Sequence, residues 1–480
     1  MHRGFLTRVI ATATVAVALC AGLTAHAADA PVCAPVPGLE AVLKTPAPII
    51  WFGEIHGTNE MPALFADAVC TAGQGPRPVV VALERTAEEL PQWQAYLRSD
   101  GGNIARSQFL IGTQWSNTAQ DGRSSKAMLA LAERLRQLKQ AGRIQDIVLF
   151  ASYPDGKTPD QGMADDLQAA VKAHPGAVIL ALSGNIHNMK TVFAGQVPAL
   201  SLLPPGTAIS IDMVGGSNGR SWNYGVGDTA SGGTDHAPGI VPVTAPEVSP
   251  PLRQRYDWIA YVGTPTTASP PAVAEALALA APVHDAFVRA EAEQAKLPPA
   301  KTDSERLERI FDLDQVGRNV IIHIDFSTLP PEQRLAGQKL AAADIETHDL
   351  ADQAVLKTMM PAKGWFTKPP YSGKAVDAAF LIVQHAVNDP DLMRDVLKRM
   401  EPLVKTGQAR GDSYALLYDR VALQFDHKPQ RYGSQMQCKD GKWQPQDLED
   451  PAHVDERRKA MGFSDTEAEY VQSFDTWPCY

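Results

Sequence analysis

The sequence predicts an α/β fold, with a largely parallel sheet and flanking helices in the N-terminal domain, followed by a mainly α-helical second domain. Three patterns favour it: short apolar runs, amphipathic stretches between those runs, and helical periodicity toward the C-terminus. The short runs are rich in Ile and Val, as strands buried on both faces of a sheet should be. They span residues 48–53, 78–83, 146–151, 177–182, 208–214 and 258–262.

Amphipathic stretches separate these apolar runs. The clearest spans residues 124–141, where apolar residues recur at three- and four-residue steps. Thr158 and Pro159 are typical of the cap and first position of the next helix. Strands that alternate with helices favour a parallel sheet. Further along the chain, helical patterns span residues 376–387, 392–403 and 413–423.

The chain of 480 residues is long enough for several domains. We expect the α/β domain over residues 28–265, a linker and helix over 266–300, and the helical domain over 301–480. The net charge is −10, from 44 Lys and Arg against 54 Asp and Glu. This balance argues against a nucleic-acid partner, since binding a polyanion rewards clustered cations. The sequence indicates no particular oligomeric state.

Residues 1–27 are predicted to be a cleaved signal peptide. Arg3 and Arg8 precede the apolar run 9–23, and Ala27 ends a pattern of small residues that a signal peptidase reads. The run is shorter than the roughly 20 residues that cross a bilayer, so we expect no transmembrane segment after cleavage. The predicted location is the bacterial periplasm or the exterior.

Four cysteines remain once the signal is removed, an even number that suits an oxidising compartment. Four cysteines allow three pairings. Pairing within each end of the chain is the economical prediction, giving Cys33–Cys70 and Cys438–Cys479. A zinc site is not expected, because the chain has neither a CxxC pair nor a Cys-His cluster.

Polar residues collect where the predicted strands end. In open α/β sheets, ligands bind beyond the carboxyl ends of the strands. The first strand runs into Glu54 and His56, which are two residues apart and therefore project from the same side of extended backbone. Acidic, basic and histidine side chains also follow the second and fourth strands. The candidate catalytic residues are Glu54, His56, Glu60, Glu84 and His187, with Arg85 and Arg123 as candidate substrate-binding residues.

Two kinds of chemistry fit this set. A carboxylate beside an imidazole raises its basicity, which suits a general base acting on water. Alternatively, Glu54, His56 and His187 could ligate a divalent metal. Arg123 precedes a predicted helix and could bind an anion there or form a capping ion pair. The Gly-rich segment 214–251 is either a loop that covers the site or a plain surface insertion.

Three short motifs in this region resemble a known superfamily. They are GEIHGTNE at 53–60, VVVALE at 79–84 and SGNIH at 183–187. The region from about 45 to 265 resembles the erythromycin esterases, the ChaN-like haem-binding lipoproteins and the Tiki metalloproteases. In the esterase branch, the resemblance implies that His56 is the base that activates water against an ester or amide of a small molecule or peptide. The Tiki branch implies a divalent metal, and the ChaN-like branch implies a non-enzymatic haem- or metal-binding envelope protein.

The C-terminal part resembles an uncharacterised bacterial domain family. The matching pieces include Gln384-His385-Ala386, Leu417-Tyr418-Asp419-Arg420 and the QRYGSQ segment at 430–435. Polar residues there lie on or beside otherwise apolar helices, and a polar group on a buried face needs partners. A hydrogen-bonded packing network and a second site for a peptide or cell-wall fragment both fit. The residues concerned are His385, Asp419, Arg420 and Gln435.

Overall fold

The computed structural model describes residues 31–229, 235–477 and 479. The predicted signal peptide lies outside these residues. The strands of the described chain are β1 (Ile49–Glu54), β2 (Val79–Leu83), β3 (Asp146–Leu149), β4 (Val178–Gly184), β5 (Ala208–Val214), β6 (Arg220–Trp222), β7 (Val226–Asp228), β8 (Gly239–Pro242), β9 (Trp258–Tyr261), β10 (Met436–Lys439) and β11 (Lys442–Pro445).

The helices precede, separate and follow these strands. They are α1 (Leu39–Leu43), α2 (Glu60–Ala72), α3 (Leu90–Arg98), α4 (Asn103–Leu110), α5 (Lys126–Gln140), α6 (Pro159–Ala173), α7 (Pro250–Arg255), α8 (Ala274–Gln294), α9 (Asp303–Ile321), α10 (Arg334–Met359), α11 (Gly373–Gln384), α12 (Pro390–Lys405), α13 (Gly411–Gln424), α14 (Val454–Ala460) and α15 (Glu467–Gln472).

The main sheet has seven strands in the order β3-β2-β4-β1-β5-β9-β8. All neighbours are parallel except β8 and β9. The six predicted runs correspond to β1–β5 and β9, and helices follow in the C-terminal region, so the predicted fold class is confirmed. The antiparallel edge strand β8 lies in the Gly-rich segment, where weak apolar periodicity predicted no strand.

Side chains of each central strand alternate between two apolar layers. In β1, Ile50 and Phe52 point into one layer, and Ile49 and Trp51 point into the other. The first layer continues into α8 and α10, as far as Ile345. A separate apolar core joins α9–α13.

Helices α5 and α6 begin where the sequence predicts. The Ser125 hydroxyl accepts a hydrogen bond from the backbone of Met128 and caps α5. At α6, Thr158 and Gln161 form a reciprocal capping box, and Pro159 occupies the first turn. These caps fix where α5 and α6 begin, and so fix the positions of the residues in their first turns.

Both predicted disulfides are present. Cys33 is bonded to Cys70, and Cys438 is bonded to Cys479. Two such bonds fit an exported protein, because disulfides persist in oxidising compartments. Within the described ranges, no helix is long and apolar enough to cross a membrane.

Candidate functional site

The candidate site lies at the carboxyl edge of the sheet, over β2, β4 and β1. Glu54 ends β1 and pairs in register with Gly184, which ends β4. Glu84 follows β2 directly, and its backbone N–H donates to the carbonyl of Leu182 in β4. Because the three strands end at one level, their terminal side chains meet.

His56 lies between two carboxylates. Its Nδ1 is 2.9 Å from Glu54 Oε1, and its Nε2 is 3.5 Å from Glu84 Oε2. Burial lowers the pKa of His56, but the charge of Glu84 and the hydrogen bonds to Glu54 and Glu84 outweigh it and raise the pKa to about 10. His56 is therefore an imidazolium at neutral pH.

Glu84 contacts both histidines and Arg123. Its Oε2 accepts a hydrogen bond of 2.8 Å from the backbone N–H of Gly184, and its Oε1 accepts one of 2.9 Å from Arg123. Burial raises the pKa of Glu84, but the charge of His56, the hydrogen bond with His56 and the charge of Arg123 outweigh it and lower the pKa to about 2. Glu84 is therefore ionised. Burial raises the pKa of Glu54, whose Oε2 is enclosed without a hydrogen-bond partner among the described residues.

His187 is held by a carboxylate that the sequence interpretation missed. Its Nδ1 lies 2.8 Å from Oδ1 of Asp160, which is in the first turn of α6. Asp160 also accepts hydrogen bonds from the backbone of Ala199 and the side chain of Gln196. The Nε2 of His187 faces Glu84 at 3.9 Å. The predicted start of α6 at Thr158 and Pro159 was a signal for Asp160, since it placed that carboxylate in the first turn of the helix that follows the third strand.

Arg123 joins the site, whereas Arg85 and Glu60 do not. Arg123 bonds both Glu84 and Asp121. Arg85 is only 1% exposed, and its guanidinium pairs with Glu89 instead. The carboxylate of Glu60 accepts hydrogen bonds from the backbone and hydroxyl of Thr267. The structure thus brings together five of the seven residues predicted for this site: Glu54, His56, Glu84, Arg123 and His187.

Part of the Gly-rich segment packs against the backbone next to His56. Gly57 has φ +72°, and a Cβ there would lie 1.9 Å from the carbonyl oxygen of Trp222. The backbones of Gly57 and Trp222 are also hydrogen-bonded. A side chain at Gly57 would therefore displace the segment that carries β6.

A cavity of about 730 Å³ lies near the site, although none of the five gathered residues is among those that line it. Its lining includes Ile55 and Asn185, which adjoin the site in sequence, and Asp212 of β5. Burial raises the pKa of Asp212 to about 7, although Asn185 donates a hydrogen bond to it. Apolar and aromatic side chains form much of the remaining wall, among them Met189, Phe193, Tyr256 and Tyr261.

The donor atoms at the sheet edge do not converge on a metal position. Both Nδ1 atoms, of His56 and His187, already face carboxylates. Among the residues that the structure describes, the one group of three or more His, Cys, Asp or Glu side chains with all ligand atoms within 4.8 Å is Asp314, Asp349 and His385. Glu54, His56 and His187, the predicted metal ligands, do not form such a group.

A second polar cluster lies in the helical region. His385 Nδ1 is 2.9 Å from Oδ1 of Asp314, a residue of α9. Arg318 donates to the same oxygen and, through Nη2, to both oxygens of Asp349. Asp314, Asp349 and His385 could hold a metal ion, but the positive charge of Arg318 already lies against both aspartates.

The remaining predicted residues of that region have different partners. Asp419 accepts hydrogen bonds from the backbones of Arg431, Tyr432 and Ser434 and so shapes that turn. Arg420 donates from Nε to the side-chain oxygen of Gln435.

Residues 304–477 match a family of unknown function, DUF6624. The chain is similar to a solved erythromycin esterase, EreC, in an open conformation, at 13% identity and a TM-score of 0.35, over 45% of this chain and 91% of that one. It is similar to the type III effector HopBA1 at 14% identity and a TM-score of 0.29, over 49% of this chain and 99% of that one. No curated protein matches.

Proposed function

We propose that the site at the carboxyl edge of the sheet hydrolyses an ester or amide, in an exported protein whose residues 28–265 form the hydrolytic domain. One observation carries the proposal: two histidines flank the ionised Glu84, and each is tied through Nδ1 to a carboxylate. Paired acid and base groups of this kind are what acyl transfer to water requires.

His187 takes the role of general base. Asp160 holds its Nδ1, which orients the ring and leaves Nε2 directed at the cleft. A carboxylate in this position also stabilises the imidazolium that forms when Nε2 accepts a proton. His187 is 22% exposed, so water reaches it.

His56 takes the role of general acid. An imidazolium held between two carboxylates is already protonated at neutral pH and cannot accept a proton from water. The proposed role of His56 therefore differs from the sequence-based expectation, in which His56 was the base. In the proposed reaction, His187 takes a proton from water, the hydroxide oxygen bonds to the carbonyl carbon, and the bond to the leaving group breaks. The leaving oxygen or nitrogen takes its proton from His56.

The substrate is proposed to be a small molecule bound in the adjoining cavity. A volume of about 730 Å³ falls in the range of small-molecule sites. The cavity combines apolar and aromatic walls with a few polar groups, as such sites do. Asp212, with its pKa near 7, offers a carboxylic acid donor in part of the population at neutral pH.

The test is a panel of aryl esters and anilides incubated with the mature chain. The proposal expects equimolar acid and alcohol or amine, with turnover lost in His56→Gln. Absence of turnover across the panel, together with a Soret band on haem titration, would instead support a haem-binding protein and overturn the proposal.

A further inference from the structure

One buried carboxylate of the sheet has few partners. Asp212 lies in β5 and is only 4% exposed. Its Oδ1 accepts a hydrogen bond of 3.1 Å from the side chain of Asn185. Its Oδ2 has no hydrogen-bond partner within the described residues, and this oxygen is not enclosed by them. Burial raises the pKa of Asp212 to about 7, and the hydrogen bond from Asn185 and the charge of Arg255 oppose that rise only in part.

The other acidic side chains classed as buried within the described residues are compensated more fully. Those that pair with a histidine or an arginine are Glu54, Glu84, Glu89, Asp160 and Asp314. Asp419 accepts hydrogen bonds from three backbone N–H groups. Asp212 differs from all of them, because it receives one hydrogen bond from a neutral amide. A buried carboxylate is costly without partners, so a ligand that supplies a cation to Asp212 gains more than it would at the compensated acids.

Asp212 is turned toward the cavity of about 730 Å³, which it lines. Its strand neighbours Ile211 and Met213 belong to the apolar layer on the opposite face of the sheet. Tyr256 lines the same cavity, but its hydroxyl donates to the carbonyl of Asn185 and not to Asp212. The second oxygen of Asp212 is therefore left open to a ligand.

Aromatic rings in the cavity wall suit both a cation and an apolar group. Phe193, Tyr256 and Tyr261 line the cavity together with Asp212. The faces of such rings attract cations and pack against apolar groups. Phe193 already shows this use, because the guanidinium of Arg255 lies 4.6 Å from the centre of its ring.

The charged side chains of the wall favour a cationic ligand over an anionic one. Three carboxylates line the cavity, those of Asp212, Asp228 and Glu247, against one arginine, Arg255, and one histidine, His236. Arg255 lies over an aromatic ring and forms no ion pair with Asp212, so it does not take the place of a ligand cation there. An ammonium group at Asp212 would form a charge-assisted hydrogen bond, which is stronger than a neutral one.

We propose that this cavity binds a protonated amine carried by an apolar body, with the ammonium N–H donating to Asp212 Oδ2. The aromatic wall holds the apolar body. The inference rests on the proposed function only where it calls this ligand a substrate, an ester or amide that bears an amine. Binding of the amine itself requires neither histidine of the hydrolytic site.

The experiment titrates the mature chain, above the pKa of Asp212, with three ligands that share one apolar body and differ in charge. They are 4-phenylbutylamine, 4-phenylbutanol and 5-phenylpentanoate, and binding is followed by calorimetry and ligand-observed NMR. We expect the amine to bind about tenfold more tightly than the alcohol, and the carboxylate to bind more weakly than either. Asp212→Asn should weaken amine binding about ten- to hundredfold and leave alcohol binding unchanged, which also shows that the cavity persists.

Asp228→Asn is the matched control. It removes the same charge from the same cavity wall, but Asp228 is exposed and pairs with Arg220. Amine binding should therefore change little in this variant, because an exposed ion pair contributes little. A loss as large as that in Asp212→Asn would assign the effect to the overall charge of the wall and overturn the proposal.

The remaining outcomes separate this inference from the proposed function. Equal affinity of the wild type for amine and alcohol would overturn the inference without any variant, and so would amine binding that is unchanged in Asp212→Asn. Tighter binding of the carboxylate would overturn it in favour of an anion site at Arg255. Amine binding as expected, without turnover of any ester or anilide, would support the inference while the proposed hydrolysis fails.

Discussion

Glu84→Gln tests the electrostatics of the candidate site most sharply. The amide keeps the shape of the carboxylate and can still accept the hydrogen bond from Gly184. Arg123 retains Asp121 as its carboxylate partner. What disappears is the negative charge that faces His56 Nε2 at 3.5 Å.

The expected change is a fall in the pKa of His56. Two unit charges 3.5 Å apart interact by about 5 kcal/mol at an effective dielectric constant of about 20. One pKa unit corresponds to about 1.36 kcal/mol, which limits the shift to about 3.5 units. Loss of one close opposite charge typically changes a pKa by about 1–3 units, and Glu54 remains beside the ring. The wild-type pKa of about 10 is therefore expected to fall by that amount in the variant.

The assay follows the His56 ring signals by NMR as pH is raised, in the wild type and in Glu84→Gln. Glu275→Gln is the control, because it neutralises a carboxylate in an exposed ion pair with Lys126. A wild-type His56 that titrates near its ordinary value of 6.5, or a variant pKa equal to the wild type, would refute the reasoning.

Three further predictions follow. In Asp160→Asn, the amide oxygen can still accept hydrogen bonds from His187 and from the Ala199 backbone, so the fold should persist. The value of kcat/KM for ester hydrolysis should nevertheless fall about a hundredfold or more. As a control, Asp165→Asn in the same helix should leave kcat/KM unchanged. The free energy of unfolding, measured in denaturant titrations, should fall by a few kcal/mol between about pH 6.5 and 10. The raised pKa of His56 stabilises the fold below that range, and this contribution is lost as the imidazolium deprotonates. A free energy of unfolding that does not change with pH over this range would contradict the prediction. Replacing both Cys438 and Cys479 by Ala should lower the free energy of unfolding by about 4 kcal/mol in the same titrations, because the disulfide constrains an unfolded chain segment of 41-residue separation. An unchanged free energy of unfolding would show that the bond does not stabilise the fold.

The sheet was predictable because its strands are buried on both faces. A continuous apolar run such as 178–182 can be recognised without knowledge of its neighbours. Strand β8 was not, since only Ile240 among its four residues is buried and glycines and prolines surround it. Its pairing with β9 depends on the tertiary fold and leaves little trace in local periodicity.

The site was predictable as a set of strand-end residues, but its internal partners were not. Glu84 and Arg85 are adjacent in the sequence, but the chain bends directly after β2, and Glu84 enters the cleft while Arg85 turns to Glu89. Asp160 reaches His187 from a helix 27 residues away in sequence.

The charge state of His56 could not be predicted from the sequence either. Glu54 lies two residues away and was expected beside the ring, but the distance to Glu84 depends on how β1, β4 and β2 line up. In the proposed reaction, the second carboxylate makes His56 an acid instead of the expected base.

In the proposed reaction, His187 activates water. The measurement that tests it most directly is kcat/KM for the best ester of the panel, in His187→Gln and in His174→Gln. His174 is a matched control, since it also lies near a carboxylate, 3.8 Å from Asp146, but at the far end of α6. We expect a loss of about 10²–10⁴-fold in His187→Gln and none in His174→Gln. Equal activity in the two variants would contradict it.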